Sequence, residues 1–387
     1  MIYHFEMDFR ARVDILRKYM EENRIGVSVI LNPTNIFYFT NYSTVISSRL
    51  SVGLITPQEV SLIVPHVETE NAIGFSLEKG YVDHVYTYYE KPVEAPLTAK
   101  VMELFAEHLS KNPKSLKVGI EYGFANLNLF HFIQGLGFDI VDIQPQIVLQ
   151  RGRKSEKEVT LIRIAAELCN AAMDATLKNI RPGVTEIELE GCGNDAVNKL
   201  ASTKYEGANL FYFGNILSGP VRTSMPHVAS SSRKLQHGDI LVCSRQIGIN
   251  GWKAEIERTC FLGEASEEQK RIFQIVRSAQ KNVIDMVKPG VLCSDVDLKT
   301  FEILKSNGLA DYVTHRSGHG IGITVHESPI LSFTDNTVIE KGMCFSAEPG
   351  VYIPNIGGFR HSDTVLVTET GCEIITEAPR DFEDLIF

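Results

Sequence analysis

The fold is decided by the stretch Gly238-Asp-Ile-Leu-Val-Cys-Ser-Arg-Gln-Ile-Gly-Ile-Asn-Gly-Trp-Lys-Ala-Glu-Ile-Glu-Arg-Thr-Cys-Phe261. Two β-rich segments of this stretch meet at Asn250-Gly251. Asn-Gly is the dipeptide most typical of a two-residue hairpin turn, because both turn positions need positive φ. The stretch therefore predicts a β-hairpin.

The turn also predicts which residues of the hairpin face each other. With Asn250-Gly251 as the loop, Ser244 pairs with Glu257 and Gln246 pairs with Glu255, and these four side chains share one face of the hairpin. That face is polar and carries two carboxylates. It could be the lining of a site, or the solvated outer face of an edge hairpin.

Two further segments carry ionisable residues in glycine-rich surroundings. Ser317-Gly-His-Gly-Ile-Gly-Ile-Thr-Val-His-Glu contains His319 and His326, and Ser346-Ala-Glu-Pro-Gly-Val-Tyr-Ile places Glu348 before a Pro-Gly corner. Glycine allows a ligand to approach the backbone closely. Taken singly, each histidine could be a hydrogen-bonded core residue and Glu348 could cap a turn. In combination with the hairpin they favour a functional site.

The first 150 residues or so alternate between helices and short strands, which predicts a small α/β domain. A first helix buries apolar residues at helical spacing, namely Phe9, Val13, Leu16 and Met20. Strands are predicted near 26–31, 51–55, 59–65 and 116–122, and another helix near 97–111.

A capping box at Ser155 and Glu158 opens a long helical pattern, and the domain boundary is placed just before it. A chain of 387 residues exceeds the usual size of one hydrophobic core. We therefore predict two domains, residues 1–152 and residues 153–387.

The second domain shows an internal repeat. Ile180-Arg-Pro-Gly-Val is followed by a capping box at Thr185 and Glu188, and Val287-Lys-Pro-Gly-Val recurs 107 residues later, again at the end of a helical pattern. This recurrence predicts that the second domain is internally duplicated.

Composition excludes several classes of protein. The 38 basic and 48 acidic residues give a net charge of −10, without the basic runs that bind nucleic acid. No stretch reaches about 18 consecutive apolar residues, so no membrane association is predicted. The seven cysteines lack C-x-x-C spacing and are predicted to be reduced core thiols of a cytoplasmic protein.

Taken in order, these segments resemble the superfamily of creatinase, prolidase, aminopeptidase P and methionine aminopeptidase. The resemblance covers about residues 155–375 and includes Gly238-Asp, Glu257-Arg-Thr, Gly318-His-Gly-Ile-Gly, Val325-His-Glu, Ala347-Glu-Pro-Gly-Val-Tyr-Ile and Asp363-Thr-Val-Leu-Val-Thr-Glu-Thr-Gly. It implies an α+β protein with a pita-bread catalytic domain, internally duplicated, preceded by a smaller α/β domain of the creatinase type.

The resemblance also implies a set of metal-binding positions. Metallopeptidases of the superfamily hold two metal ions through five residues, and the corresponding positions are Ser244, Glu255, His319, Glu348 and Ser362. Two serines replace anionic ligands, so we expect no metal and no other cofactor. The alternative is one divalent ion held by Glu255, His319 and Glu348 in an Xaa-Pro dipeptidase or aminopeptidase.

Creatinase is a member that works without metal, and the resemblance to it implies a function. The expectation is a metal-independent hydrolase of a carbon–nitrogen bond in a small amidine, guanidine or amide. The implied catalytic residues are His227, Glu255, His319 and His326, with Glu255 as nucleophile in the manner of ectoine hydrolase. The implied substrate-binding residues are Arg49, Glu257, Glu348 and His361. A non-catalytic binding homologue is a second alternative.

Two details refine this expectation. In creatinase an arginine corresponding to Arg49 reaches from the N-terminal domain into the partner subunit's site, which implies a homodimer. A further carboxylate-binding arginine of creatinase, a few positions beyond the residue that corresponds to His326, is missing here. Creatine itself is therefore not the expected substrate.

Overall fold

The computed structural model describes residues 7–44, 49–89, 106–107, 116–125 and 127–387. The chain divides between Gln150 and Arg151 into two compact units, and each unit has its own hydrophobic core. The helix predicted near 97–111 falls outside the described residues, apart from two helical positions at 106–107.

The N-terminal unit contains a six-stranded mixed sheet in the order β4-β3-β2-β1-β5-β6. Its strands are β1 (Ile25–Ile30), β2 (Val52–Ile55), β3 (Val60–Pro65), β4 (His84–Tyr88), β5 (Lys117–Ile120) and β6 (Ile140–Asp142). Its helices are α1 (Phe9–Asn23), α2 (Pro33–Thr40), α3 (Thr69–Ala72), α4 (Leu127–Gly135) and α5 (Gln144–Gly152), the last of which runs past the division.

Helix α1 forms where the apolar spacing predicts it. Its buried face includes the four predicted residues Phe9, Val13, Leu16 and Met20. The helix begins at Asp8, whose side chain accepts a hydrogen bond from the Ala11 amide at 3.0 Å. The strands predicted in this unit are confirmed as β1, β2, β3 and β5.

The C-terminal unit contains an eight-stranded sheet in the order β11-β10-β12-β15-β9-β8-β7, with β16 paired to β15, and a separate hairpin β13–β14. Its strands are β7 (Leu210–Ser218), β8 (Asp239–Ile249), β9 (Trp252–Leu262), β10 (Gly318–Gly320), β11 (Glu327–Leu331), β12 (Cys344–Ala347), β13 (Gly350–Ile353), β14 (Gly357–Arg360), β15 (Ser362–Val367) and β16 (Cys372–Ile374).

Five helices accompany this sheet. The two predicted capping boxes open the first two of them. They are α6 (Glu156–Lys178), α7 (Glu186–Lys204), α8 (Pro220–Thr223), α9 (Glu267–Met286) and α10 (Cys293–Ser306). Among the helices of the described part of the chain, none is long and apolar enough to cross a bilayer.

The predicted internal repeat appears as two turns with the same hydrogen bonds. Between α6 and α7, the Gly183 amide donates to Leu235 O, and the Leu235 amide donates to Val184 O. Between α9 and α10, Gly290 and Val291 exchange the same two bonds with Ile339. Both glycines have φ near +90°, a conformation that costs glycine little. The internal duplication is thus confirmed.

The β8–β9 hairpin has the predicted register. Ser244 lies opposite Glu257 and Gln246 lies opposite Glu255, while the turn residue Asn250 has a φ of 47°. The hairpin is internal to the sheet, because β7 pairs with β8 and β15 pairs with β9. The side chains of Ser244, Gln246, Glu255 and Glu257 are also buried, which rules out the solvated edge hairpin.

Candidate active site

Three ionisable residues converge from separate strands of the large sheet. Glu255 belongs to β9, His319 belongs to β10, and Glu348 directly follows β12. His319 Nε2 lies 3.0 Å from Glu348 Oε1 and 3.7 Å from Glu255 Oε2, and all three residues are buried. One donor atom from each lies within 4.8 Å of the others.

Backbone contacts hold these strands together at the cluster. The Glu255 amide donates to Thr364 Oγ1 at 2.9 Å, and the same hydroxyl donates back to Glu255 O at 2.8 Å, which fixes β9 against β15. The Glu348 amide donates to Ser317 O. Gly318 has no space for a side chain, because a Cβ there would lie 2.1 Å from Ser346 O. The glycine-rich sequence thus allows the close strand approach that brings His319 to the carboxylates.

The His319 ring is oriented as a metal-binding imidazole. Its Nδ1 lies 3.0 Å from Gly320 O, an acceptor, so Nδ1 carries a hydrogen and Nε2 faces the two carboxylates, where it would bind a cation in place of its own proton. Nε2 is buried and not aligned for a hydrogen bond with either carboxylate. Two carboxylates and an imidazole with a buried, unsatisfied nitrogen fit one divalent cation.

The pKa shifts of the cluster show that a nearby positive charge stabilises its carboxylates. Burial opposes a charged imidazole, but Glu348 and Glu255 outweigh it and raise the pKa of His319 to about 9. Burial and Glu348 raise the pKa of Glu255 to about 8. Burial also favours the neutral form of Glu348, yet His319 lowers its pKa. The carboxylates repel one another unless a cation lies between them.

Glu257 is held by a cation from the chain itself. Arg360 Nη2 donates to Glu257 Oε1 at 2.6 Å, and Arg360 Nε lies 2.5 Å from Oε2. Burial raises the pKa of Glu257, and Arg360 opposes that shift. An arginine that faces both oxygens of a carboxylate forms a strong ion pair with it. Glu257 is therefore ion-paired within the fold, and the substrate-binding role that the creatinase resemblance implies for it stays a prediction.

Hydrogen bonds connect Arg360 of this ion pair to Tyr352 and His315. Burial lowers the pKa of His315, and its Nδ1 lies 2.7 Å from Arg316 O, so the ring is neutral with its hydrogen on Nδ1. His315 Nε2 accordingly accepts from the Tyr352 hydroxyl at 2.9 Å, and Tyr352 accepts from Arg360 at 3.2 Å. Arg360 is thus fixed from two sides.

The two serines at metal-ligand positions of the superfamily lie beside the carboxylates of β9. The Ser362 hydroxyl donates to Glu255 Oε1 at 2.7 Å, opposite Gln246, which donates to Oε2 at 2.9 Å. Ser244 lies opposite Glu257 in the pairing of β8 with β9. Neither serine adds an anionic oxygen, so the cluster of Glu255, His319 and Glu348 provides ligands for a single ion.

Two histidines predicted to be catalytic lie at the margin of the cluster. The His326 ring is 4.2 Å from the His319 ring, centroid to centroid, and both His326 and His227 are exposed. Burial of part of the ring and the nearby charges of His319, Arg316 and His227 lower the pKa of His326 to about 4. The peptide groups around His227 are held by Asn215, whose amide donates to Pro226 O and Val228 O.

Two other predicted site residues are not part of this cluster. His361 is completely buried and packs edge-on against Phe273, with ring centroids 4.6 Å apart. It alternates in the strand with Arg360 and Ser362, which face the cluster, so its side chain points to the other side. Arg49 belongs to the N-terminal unit, and its expected reach into a partner's site stays a prediction.

Sequence reasoning missed Arg360, Tyr352 and His315. A signal for Arg360 was present, because it lies two positions before Ser362 in an extended run and should share its face. No local signal marks Tyr352 and His315. They meet Arg360 only through the packing of β13 and β14 against the segment before β10.

The sequence matches two described protein families. Residues 160–369 match metallopeptidase family M24, and residues 12–153 match the creatinase/prolidase N-terminal domain. The chain is 30% identical to the Xaa-Pro dipeptidase of Pyrococcus furiosus, over 96% of this chain and 99% of the relative.

The solved structures that resemble this chain include the same kinds of enzyme. The prolidase of Pyrococcus horikoshii superposes with a TM-score of 0.82 at 28% identity, covering 96% of this chain and 99% of the other. The Xaa-Pro dipeptidase of Bacillus anthracis superposes with a TM-score of 0.80 at 26% identity, covering 98% of this chain and all of the other. The predicted fold class is therefore confirmed.

These relatives correct the expected function. Proteins similar over nearly their whole length are Xaa-Pro dipeptidases and a prolidase, and the matching family is one of metallopeptidases. The expectation of a metal-independent hydrolase of amidines or guanidines is wrong. Its physical premise fails as well, because Glu257 binds Arg360 and three ligands for a cation remain despite the two serines.

Proposed function

The chain belongs to metallopeptidase family M24, and from that premise we propose that it is a metal-dependent peptidase that cleaves Xaa-Pro dipeptides. Membership in the family confirms the predicted hydrolysis of a carbon–nitrogen bond. The observation that carries the proposal is the convergence of Glu255, His319 and Glu348 around the unsatisfied Nε2 of His319.

Glu255, His319 and Glu348 would hold a single divalent cation. When bound there, it supplies Lewis acidity, which polarises a peptide carbonyl and lowers the pKa of water. Ser362 and Gln246 orient Glu255 by donating to its two oxygens.

The marginal histidines act on the substrate in this proposal. The lowered pKa of His326 keeps its ring neutral at physiological pH, so that it can donate a hydrogen bond to the oxygen on which negative charge develops. His227 is exposed beside it and transfers a proton to the leaving nitrogen. The hydrogen bonds of Asn215 on both sides of His227 hold the ring in reach.

The proposal extends to assembly and location. The chain forms a homodimer in the cytoplasm, with Arg49 contributing to the partner's site, as the creatinase resemblance implies. Sedimentation analysis of the active protein tests the dimer, and a monomer with full activity would contradict it.

Metal content and turnover test the central claim together. Protein stripped by chelator and titrated with Mn²⁺, Co²⁺ or Zn²⁺ should bind one ion per chain and then hydrolyse Leu-Pro in preference to Leu-Ala. Glu255→Gln removes a ligand and should weaken the binding of the ion by at least the roughly 10- to 100-fold that the loss of an outer-shell partner costs. Glu264→Gln, at an exposed glutamate beyond the same hairpin, should bind the ion as the wild type does.

Three outcomes would contradict the proposal. Full hydrolysis by the chelated protein would exclude metal dependence. Two tightly bound ions per chain would exclude the single-ion site. A bound ion with no hydrolysis of any Xaa-Pro dipeptide would leave the metal site but exclude the peptidase.

A further inference from the structure

Arg316 is a cation beside the site that the peptidase chemistry described above does not use. Its side chain is half-buried, and its Nε atom is buried without a hydrogen-bond partner among the residues that the structure describes. Within the described ranges, no carboxylate forms an ion pair with it. Removing a guanidinium NH from water without an acceptor is unfavourable, so this NH favours the binding of a ligand that accepts a hydrogen bond.

Other arginines near the site contrast with Arg316. Arg360 is bound by Glu257 and Tyr352, and Arg151 lies 3.0 Å from Glu327. Their charges are neutralised within the fold. Arg316 therefore differs in keeping both its charge and its planar set of donors available to a ligand.

The position of Arg316 ties it to the site. Its neighbour Ser317 accepts a hydrogen bond from the Glu348 amide, and its own carbonyl faces the His315 ring. Its charge also contributes to lowering the pKa of His326. The backbone of Arg316 is thus one residue from the contact that holds Glu348, and its charge acts on the histidine at the margin of the cluster.

A dipeptide brings one group that fits this cation. Its C-terminal carboxylate is planar, anionic and able to accept two parallel hydrogen bonds, the geometry that guanidinium recognises best. The cluster of Glu255 and Glu348 is acidic and repels a carboxylate, so the anionic end of the substrate must lie toward a cation.

We propose that Arg316 binds the C-terminal carboxylate of the substrate and so selects dipeptides over longer or amidated peptides. The inference rests on the proposed peptidase function, because it names the group of that substrate which Arg316 recognises. It makes Arg316 a specificity-determining residue of the same site.

Binding to the chelated protein tests Arg316 separately from turnover. In isothermal titration calorimetry, wild-type protein held in chelator should bind Leu-Pro about 10- to 100-fold more tightly than leucyl-prolinamide, the range expected for a hydrogen-bonded charge. Arg316→Gln should abolish this preference, and Arg316→Lys, which keeps the charge without the planar fork, should keep part of it. Arg271→Gln, at an exposed arginine paired with Glu268, is the matched control and should keep all of it.

Each result decides the proposal. Loss of the preference in Arg316→Gln alone, with unfolding followed by Trp252 fluorescence as in the wild type, supports it. Equal binding of acid and amide by the wild type, no binding of either, or an unchanged preference in Arg316→Gln overturns it. If Arg316→Gln does not fold, a full wild-type preference in Arg316→Lys overturns it and a reduced one supports it. Hydrolysis by the metal-loaded enzyme is measured separately, so its failure would count against the proposed function and not against Arg316.

Discussion

At the scale of single residues, Glu257 shows how one contact changes the chemistry of a site. As part of the sequence it is a carboxylate on a polar face, ready for a cationic substrate. In the structure Arg360 approaches it from β14 and forms a buried ion pair with it. Removing either partner would leave an unpaired buried charge. In the folded chain the charge of Glu257 is thus paired with Arg360.

His361 gives a prediction for the pH dependence of stability. Burial, followed by Arg258, Arg277 and Arg380, lowers its pKa well below the ordinary value of 6.5. The unfolded chain therefore binds a proton below pH 6.5 that the folded chain does not, so stability falls as the pH falls. His361→Leu should reduce the loss between pH 6.5 and pH 5.5 by about 1 kcal/mol, measured by urea unfolding through Trp252 fluorescence.

A surface histidine is the control for this experiment. His237 is exposed, and His237→Leu should show the acid-dependent loss of the wild type. If His361→Leu loses as much stability as the wild type over the same pH range, the His361 ring of the wild type is protonated in the folded protein.

At the scale of elements, the β8–β9 hairpin carries both Glu255 and Glu257 and sets their register. Its turn residues Asn250 and Gly251 have φ of 47° and 97°. The Asn250 side chain also accepts a hydrogen bond from the Asn209 amide, which ties the turn to the start of β7. A slip by one residue would turn both glutamates away from the cluster.

Two glycine substitutions, one in this turn and one in a helix, are predicted to change the free energy of unfolding in opposite directions. Gly251→Ala places a side chain at positive φ and should lower the free energy of unfolding by at least about 1 kcal/mol. Gly191→Ala lies in helix α7, with open space around the new methyl group, and should raise it by up to about 1 kcal/mol. Urea unfolding followed through Trp252 measures both, and a neutral Gly251→Ala would mean that the turn relaxes to another conformation.

At the scale of the molecule, the proposed cation links function to the stability of the C-terminal unit. Its three ligands come from β9, β10 and the end of β12, which are far apart in the chain, so the unfolded chain has no equivalent site. An ion that binds only the folded unit must stabilise it. The protein has a single tryptophan, Trp252, buried in this unit, and it reports the unit's unfolding.

The size of this effect follows from mass action. Free ion at 100 times its dissociation constant should raise the free energy of unfolding by about 2.7 kcal/mol. In Glu255→Gln the same concentration should raise it far less. An unfolding midpoint that is the same in chelator and in excess Mn²⁺, Co²⁺ and Zn²⁺ would exclude the site, whatever the activity.

The sequence alone predicted the local features of the fold. The hairpin register, the capping boxes at Ser155 and Thr185, and the duplicated Pro-Gly turns depend on residues close in the chain, where periodicity and turn chemistry determine the outcome. The resemblance to the superfamily implied the three residues of the cluster as site residues, and it rests on motifs that are local in the chain.

Only the tertiary structure determined which charged side chains form ion pairs. The order β12-β15-β9 brings Arg360 to Glu257, directs His361 into the core, and leaves Arg316 without a carboxylate in the described part of the chain. These outcomes depend on strands separated by about a hundred residues, and no local preference encodes the partner of a charge. The sequence by itself determined the elements and the candidate ligands, whereas long-range strand pairing determined which of those groups are neutralised and which remain available to a cation and a substrate.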